Sequence, residues 1–264
     1  MKKSFLFFAL AFMLFSCKKE SSTTSSSSST SGGSSSGGSS SGSNTVPDVY
    51  TKIFGATSIT SDGTYLTVKT KGIPSHKSCY WPTSNALYES FANGSTTFNG
   101  EIFSKAPNQI VDQNYTFKIP LKPAVNTAHS ATPLGPIGFA LDGVALFNQY
   151  AAGGVALGDE KKGFDQYYGH PQATGSYHYH VEPLYLTKVK SSKSSLVGFL
   201  LDGFPVYGPE ENGATVAESA LDAYHGHTAV TADYPNGIYH YHTTAVAPYI
   251  NGNGFYGTPG TITN

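Results

Sequence analysis

The chain has 264 residues with 16 Lys and Arg, 17 Asp and Glu and a formal net charge of −1, so it carries no basic excess of the kind nucleic acid demands. Only 12% of residues are charged against 13% aromatic, with 29 Gly and 15 Pro, which argues for short strands and tight turns over surface helices. Cys17 and Cys79 are the only thiols. If Cys17 is modified, Cys79 has no partner within the chain, and the fold must rest on packing.

Residues 1–16 read as a lipoprotein signal. Lys2 and Lys3 precede an apolar run that starts at Phe5 and is too short for a membrane span, and the run ends in Leu-Phe-Ser before Cys17. Cleavage there would leave Cys17 as the lipid anchor. It would also take the charge to 14 basic against 17 acidic residues, or −3. The stretch 17–45 is nearly all Ser, Gly and Thr, a flexible tether that cannot bury apolar surface. These features place the expected domain, 46–264, in the cell envelope, exported and lipid-anchored at the outer membrane or cell surface.

Within the domain, residues 51–60 and 64–71 read as a hairpin about Ser61-Asp62-Gly63, residues 84–92 as a short helix, and 98–103 and 115–121 as strands. From Gly138 the chain repeats itself. Gly-Phe-Ala-Leu-Asp-Gly-Val-Ala-Leu-Phe at 138–147 returns at 198–207 as Gly-Phe-Leu-Leu-Asp-Gly-Phe-Pro-Val-Tyr. Asp-Gln-Tyr-Tyr-Gly-His at 165–170 returns as Asp-Ala-Tyr-His-Gly-His at 222–227, and Tyr-His-Tyr-His at 177–180 returns at 239–242. Matching blocks in one order, with length changes only between them, indicate a duplication with halves at about 136–182 and 196–244. The expected class is mainly β (β-rich α+β): two duplicated halves plus an N-terminal β segment.

Extended backbone puts alternate side chains on opposite faces, so His178 and His180 share one face and Tyr177 and Tyr179 the other. His240 and His242 stand likewise against Tyr239 and Tyr241. Two strand rises separate the paired imidazoles by about 6.6 Å at Cα, within reach of one ion. His170 and His227 supply a third imidazole to each set, the glycine before each letting the chain turn. Three neutral imidazoles suit Zn²⁺ or Cu²⁺ and leave a position for water or substrate. Asp165 and Asp222 are either ligand-orienting hydrogen-bond acceptors or turn caps. Glu160 is a weaker candidate, seen in the first copy only. Asp142 and Asp202, each in Asp-Gly between apolar runs, are expected in turns. His225 has no counterpart, since Tyr168 stands in its place. His76 and His129 are expected to be exposed or structurally bonded, and Cys79 to be buried and inert.

The residues Gly-Phe-Leu-Leu-Asp-Gly-Phe-Pro-Val-Tyr-Gly-Pro at 198–209, with Gly226-His227 and 239–242, resemble the YHYH-domain family of secreted and surface proteins. The matching elements at 136–148 and 169–180 resemble that family's first half. The resemblance implies a secreted module with a histidine-rich centre and no particular reaction. Cysteines that family members often carry near these motifs are missing here, so disulfide bracing does not carry over.

The folded region holds neither a Gly-x-Ser-x-Gly nucleophile motif nor a phosphate-cradling glycine loop. The leading expectation is an envelope module that binds Zn or Cu through His170, His178, His180, His227, His240 and His242. Storage, metal-assisted hydrolysis and redox stay open. The alternative is a non-metal module, adhesive toward glycan or protein, with a structural Tyr/His ladder.

Overall fold

The computed structural model describes residues 44–264. The expected signal segment, Cys17 and the tether to residue 43 lie outside them. Among the described residues fourteen short strands form three sheets, and the helical segments are 3-10 or π stretches of three to six residues. No helix among them is long and apolar enough to cross a membrane.

The first sheet holds β1 (Ala56–Ser61), β2 (Tyr65–Thr70), β3 (Tyr115–Pro120) and β14 (Thr261–Thr263) in the antiparallel order β1-β2-β3-β14. Alternation along β2 and β3 buries Leu66, Val68, Phe117 and Ile119. The large sheet comprises β4 (Pro136–Ala140), β5 (Ala145–Phe147), β6 (Gly169–Pro171), β7 (Tyr177–Tyr179), β8 (Leu196–Leu200), β9 (Pro205–Tyr207), β12 (Gly226–Ala229) and β13 (Ile238–His242). A two-stranded ribbon, β10 (Glu210–Glu211) and β11 (Ala214–Thr215), completes the set. Phe117 of β3 packs on Phe139 of β4 with ring centroids 4.9 Å apart, so one core joins the two larger sheets.

The order of the large sheet, β12-β13-β9-β8-β4-β5-β7-β6, reads the same outward from its centre. Each copy contributes a hairpin, a strand parallel to it and an edge strand: β4-β5-β7-β6 in the first, β8-β9-β13-β12 in the second. The halves meet antiparallel at β4 and β8, where Phe139 pairs with Phe199. Two glycines make that junction possible. A Cβ on Gly138 would lie 2.3 Å from Phe199 O, and one on Gly198 would lie 2.2 Å from Phe139 O.

Three expectations need correction. Residues 84–92 form successive turns, not a helix. Asn85 Oδ1 takes the Leu87 N–H, and Ser78 pairs with both Leu87 and Glu89, so the backbone groups a helix needs are engaged elsewhere. Residues 98–103 hold a 3-10 turn, Phe98–Gly100, because Asn99 and Gly100 adopt φ of 53° and 79°. The first hairpin strand starts at Ala56, after a 3-10 turn at Asp48–Lys52.

The junction generates a test. Gly198→Ala forces backbone apart at the centre of the sheet and should destabilise the protein by about 1–3 kcal/mol in urea unfolding. An unchanged midpoint would contradict the close approach.

Candidate functional site

The histidines converge through sheet pairing. His170 on β6 lies directly opposite His178 on β7, and His227 on β12 lies opposite His240 on β13. Such neighbours stand close on one face, so the third imidazole arrives from an adjoining strand and not from a loop. The turn before it is made by Tyr168 and His225, at φ of 67° and 73°. Gly169 and Gly226 therefore do not supply the turn; they make room. A Cβ there would lie 2.4 Å from the Tyr177 ring and 2.5 Å from the Tyr239 ring.

Backbone carbonyls fix how the rings are protonated. His178 Nδ1 lies 3.0 Å from Ser176 O, and His180 Nδ1 lies 2.6 Å from Asn148 O. Their counterparts are His240 Nδ1 to Ile238 O at 3.0 Å and His242 Nδ1 to Gly208 O at 2.7 Å. A carbonyl only accepts, so each Nδ1 carries the proton and each neutral ring presents an unprotonated Nε2. The lone pairs of His178 and His180 face one another, and those of His240 and His242 face His227. His178 and His180 approach to 2.9 Å at Nε2, and His227 Nε2 lies 3.2 Å from both His240 and His242.

A carboxylate closes each group. Glu160 Oε1 lies 3.2 Å from His170 Nε2 and 3.6 Å from His180 Nε2. Glu211 stands 3.6 Å from His227 and 3.4 Å from His240. In each set the four ligand atoms lie within 4.8 Å of one another. A tetrahedral Zn²⁺ with bonds near 2.0–2.1 Å would need edges of about 3.3 Å. His170 Nε2 and Glu211 Oε1 are buried without a hydrogen-bond partner, which costs about 1–3 kcal/mol each unless something else engages them. The two clusters are compatible with metal binding.

Glu211 escaped the sequence reading because it has no fixed spacing. Glu160 sits in the 3-10 turn Gly158–Gly163, whereas Glu211 sits on the β10 ribbon, and no repeated block contains either.

The aspartates belong to the other face. Tyr177 and Tyr179 donate to Asp165 and Asp142, both at 2.9 Å. Tyr239 donates to Asp222 at 2.9 Å and Tyr241 to Asp202 at 2.6 Å. Asp165 and Asp222 also take turn N–H groups, from Tyr167 and Tyr224, and neither bonds a ligand imidazole. Asp142 and Asp202 do lie in turns, and they are buried anchors besides. Burial raises Asp142 and Asp165, against the pull of His76, and pushes Asp202 up to about 6.

His76 is a structural residue. Its Nε2 meets Tyr179 OH at 2.9 Å, and Nδ1 meets Lys77 O at 2.9 Å. His129 stacks on Tyr224 with centroids 4.1 Å apart. Cys79 is buried, and burial lifts its thiol to about 12.

Burial also favours the neutral form of four of these imidazoles. It lowers His170 and His240, takes His178 well down, and brings His242 to about 4. His225, bonded to Thr244 Oγ1 at 3.0 Å, is likewise brought to about 4, by burial first and by His242 next. A histidine lowered from about 6.5 unfolded to about 4 folded contributes its full stability above pH 6.5 and loses it as pH falls toward 4. In metal-free protein, His225→Asn, which tolerates the positive φ, should therefore flatten the acid limb by about 2–3 kcal/mol between pH 6.5 and 4. Parallel limbs for both proteins would contradict a neutral buried His225.

The YHYH protein family model matches residues 116–219 and 210–254, together just over half of the 264 residues. No curated protein and no solved structure matches the chain. The matched span holds both Tyr-His-Tyr-His strands, both carboxylates and all six clustered histidines, and the chain belongs to the YHYH protein family.

Proposed function

We propose that the protein is a transition-metal-binding module with two separate centres, Glu160/His170/His178/His180 and Glu211/His227/His240/His242. The ion at each is Zn²⁺ or Cu²⁺, which suit imidazole nitrogen with one carboxylate. One observation carries the reading: in both clusters backbone carbonyls hold the proton on Nδ1 of two rings, so the bare Nε2 atoms of His178 and His180 crowd to 2.9 Å and those of His240 and His242 both turn to His227 Nε2 at 3.2 Å. A cation relieves that repulsion, and apparent binding energies near 10–16 kcal/mol for structural zinc far exceed the cost of the crowding. The tether and a lipid on Cys17 would hold the module at the cell envelope. A bound ion that accepts a further ligand would polarise its oxygen.

The adhesive alternative loses its footing at the motif itself. Tyr177, Tyr179, Tyr239 and Tyr241 are buried and their hydroxyls engaged by aspartate, so they offer no surface to a glycan.

Elemental analysis tests the reading. The purified protein, reconstituted and freed of loosely held ion, should hold two metal ions per chain. His178→Ala/His180→Ala and His240→Ala/His242→Ala should each reduce that to one. A folded wild-type protein that retains none would refute the proposal.

A further inference from the structure

The two centres share ligands but not surroundings. In the first, Phe147 stacks on His178 with centroids 4.0 Å apart, and Phe164 lies 5.1 Å from the His170 ring and 6.1 Å from the His180 ring. Phe164 is wholly buried, and the His170 side chain is 8% exposed. The hollow outside, about 260 Å³, reaches only Glu160 and His170 of the four ligands.

In the second copy both aromatic covers are changed. Tyr207 stands where Phe147 does, and Leu221, half-buried, stands where Phe164 does. The Tyr207 ring sits edge-on to His240 at 5.1 Å, and its hydroxyl reaches Thr231 at 2.8 Å and Asp233 at 2.9 Å. His227 is 22% exposed. A groove of about 720 Å³ opens on this side, lined by Glu211, His240 and His242 together with Ser192, Asn212 and Thr231. That volume is the size of a small-molecule site, and its lining mixes hydroxyl and amide groups with the charged Lys52, Glu210 and Asp233 and the apolar Leu196.

Resting on the two-centre reading above, we propose that the second centre alone is the ligand-accepting one: the groove admits a small oxygen-donor molecule whose hydroxyl or carboxylate-type oxygen binds the metal at Glu211/His227/His240/His242. The first centre, capped by Phe147 and Phe164, holds its ion closed and serves the fold. An ion held by these four groups would take the incoming oxygen as a fifth ligand, a coordination number open to zinc-type ions, so that no protein ligand need leave. Ser192, Asn212 and Thr231 of the same groove offer hydroxyl and amide partners to the rest of that molecule. Two duplicated centres have thus diverged by exchanging phenylalanine covers for a tyrosine and an open wall.

The test uses the Co²⁺-loaded protein and acetohydroxamate, a small bidentate oxygen donor. Titration should perturb the visible spectrum of one cobalt per chain. The response should survive in His178→Ala/His180→Ala and vanish in His240→Ala/His242→Ala. Ser192→Trp, an exposed residue on the groove wall, should keep both cobalts and weaken acetohydroxamate by tenfold or more. Two bound cobalts that respond alike, a response confined to the first centre, or none at all would overturn this inference while leaving the metal sites standing. Failure to bind cobalt would overturn both.

Discussion

The structure turns on four hydrogen bonds from imidazole Nδ1 to main-chain carbonyls. A free histidine can place its proton on either nitrogen, and a cluster of free histidines would exchange protons to form donor–acceptor pairs. Here the carbonyls of Ser176, Asn148, Ile238 and Gly208 remove that choice. Ile238 lies on β13, and Ser176, Asn148 and Gly208 each lie one residue beyond the end of β7, β5 or β9, so the sheet holds these carbonyls and the unprotonated nitrogens stay pointed together. Such a fixed tautomer is what a ligand imidazole needs, supplied by the fold and not by an acidic side chain.

The opposite face holds the strand in place. Every tyrosine of the two motifs donates to a buried or half-buried aspartate, one from the Asp-Gly turn and one from the turn before Gly169 or Gly226. Each strand is thereby pinned to two turns of its own copy. The segments outside the repeat finish the job differently in the two halves. His76 and Ser78 bond the tyrosine–aspartate pairs of the first copy. In the second, the N–H groups of Tyr256 and Gly257 reach Tyr241 and Asp202. The chain before the duplication supports one copy and the chain after it supports the other.

Much of this was legible in the residues. The mainly β class followed from glycine, proline and aromatic content, and the alternation of Tyr-His-Tyr-His separated the two faces. The repeated blocks foretold matched halves, though only the pairing of Phe139 with Phe199 shows that the centres lie toward opposite ends of one sheet and do not merge. The carboxylates were less legible. Glu160 stood out weakly and Glu211 not at all, because one comes from a 3-10 turn and the other from a two-residue ribbon strand, and the repeat preserves the spacing of neither. Asp165 and Asp222 were open between two roles. A short polar side chain beside a turn bonds the turn first, and the nearest strong donor on that side is a tyrosine hydroxyl. Residues 84–92 misled for a related reason: local helix propensity yields when Ser78 captures the backbone groups the helix would use.

The most direct measurement is the protonation of the rings themselves. Long-range proton–nitrogen NMR correlations on the metal-free protein at neutral pH distinguish the two neutral tautomers at each histidine. A protonated Nδ1 and a bare Nε2 are expected at His178, His180, His240 and His242, with the Nε2 resonances moving when Zn²⁺ is added. Protonated Nε2 atoms at these four rings, or Nε2 resonances indifferent to the ion, would contradict that expectation.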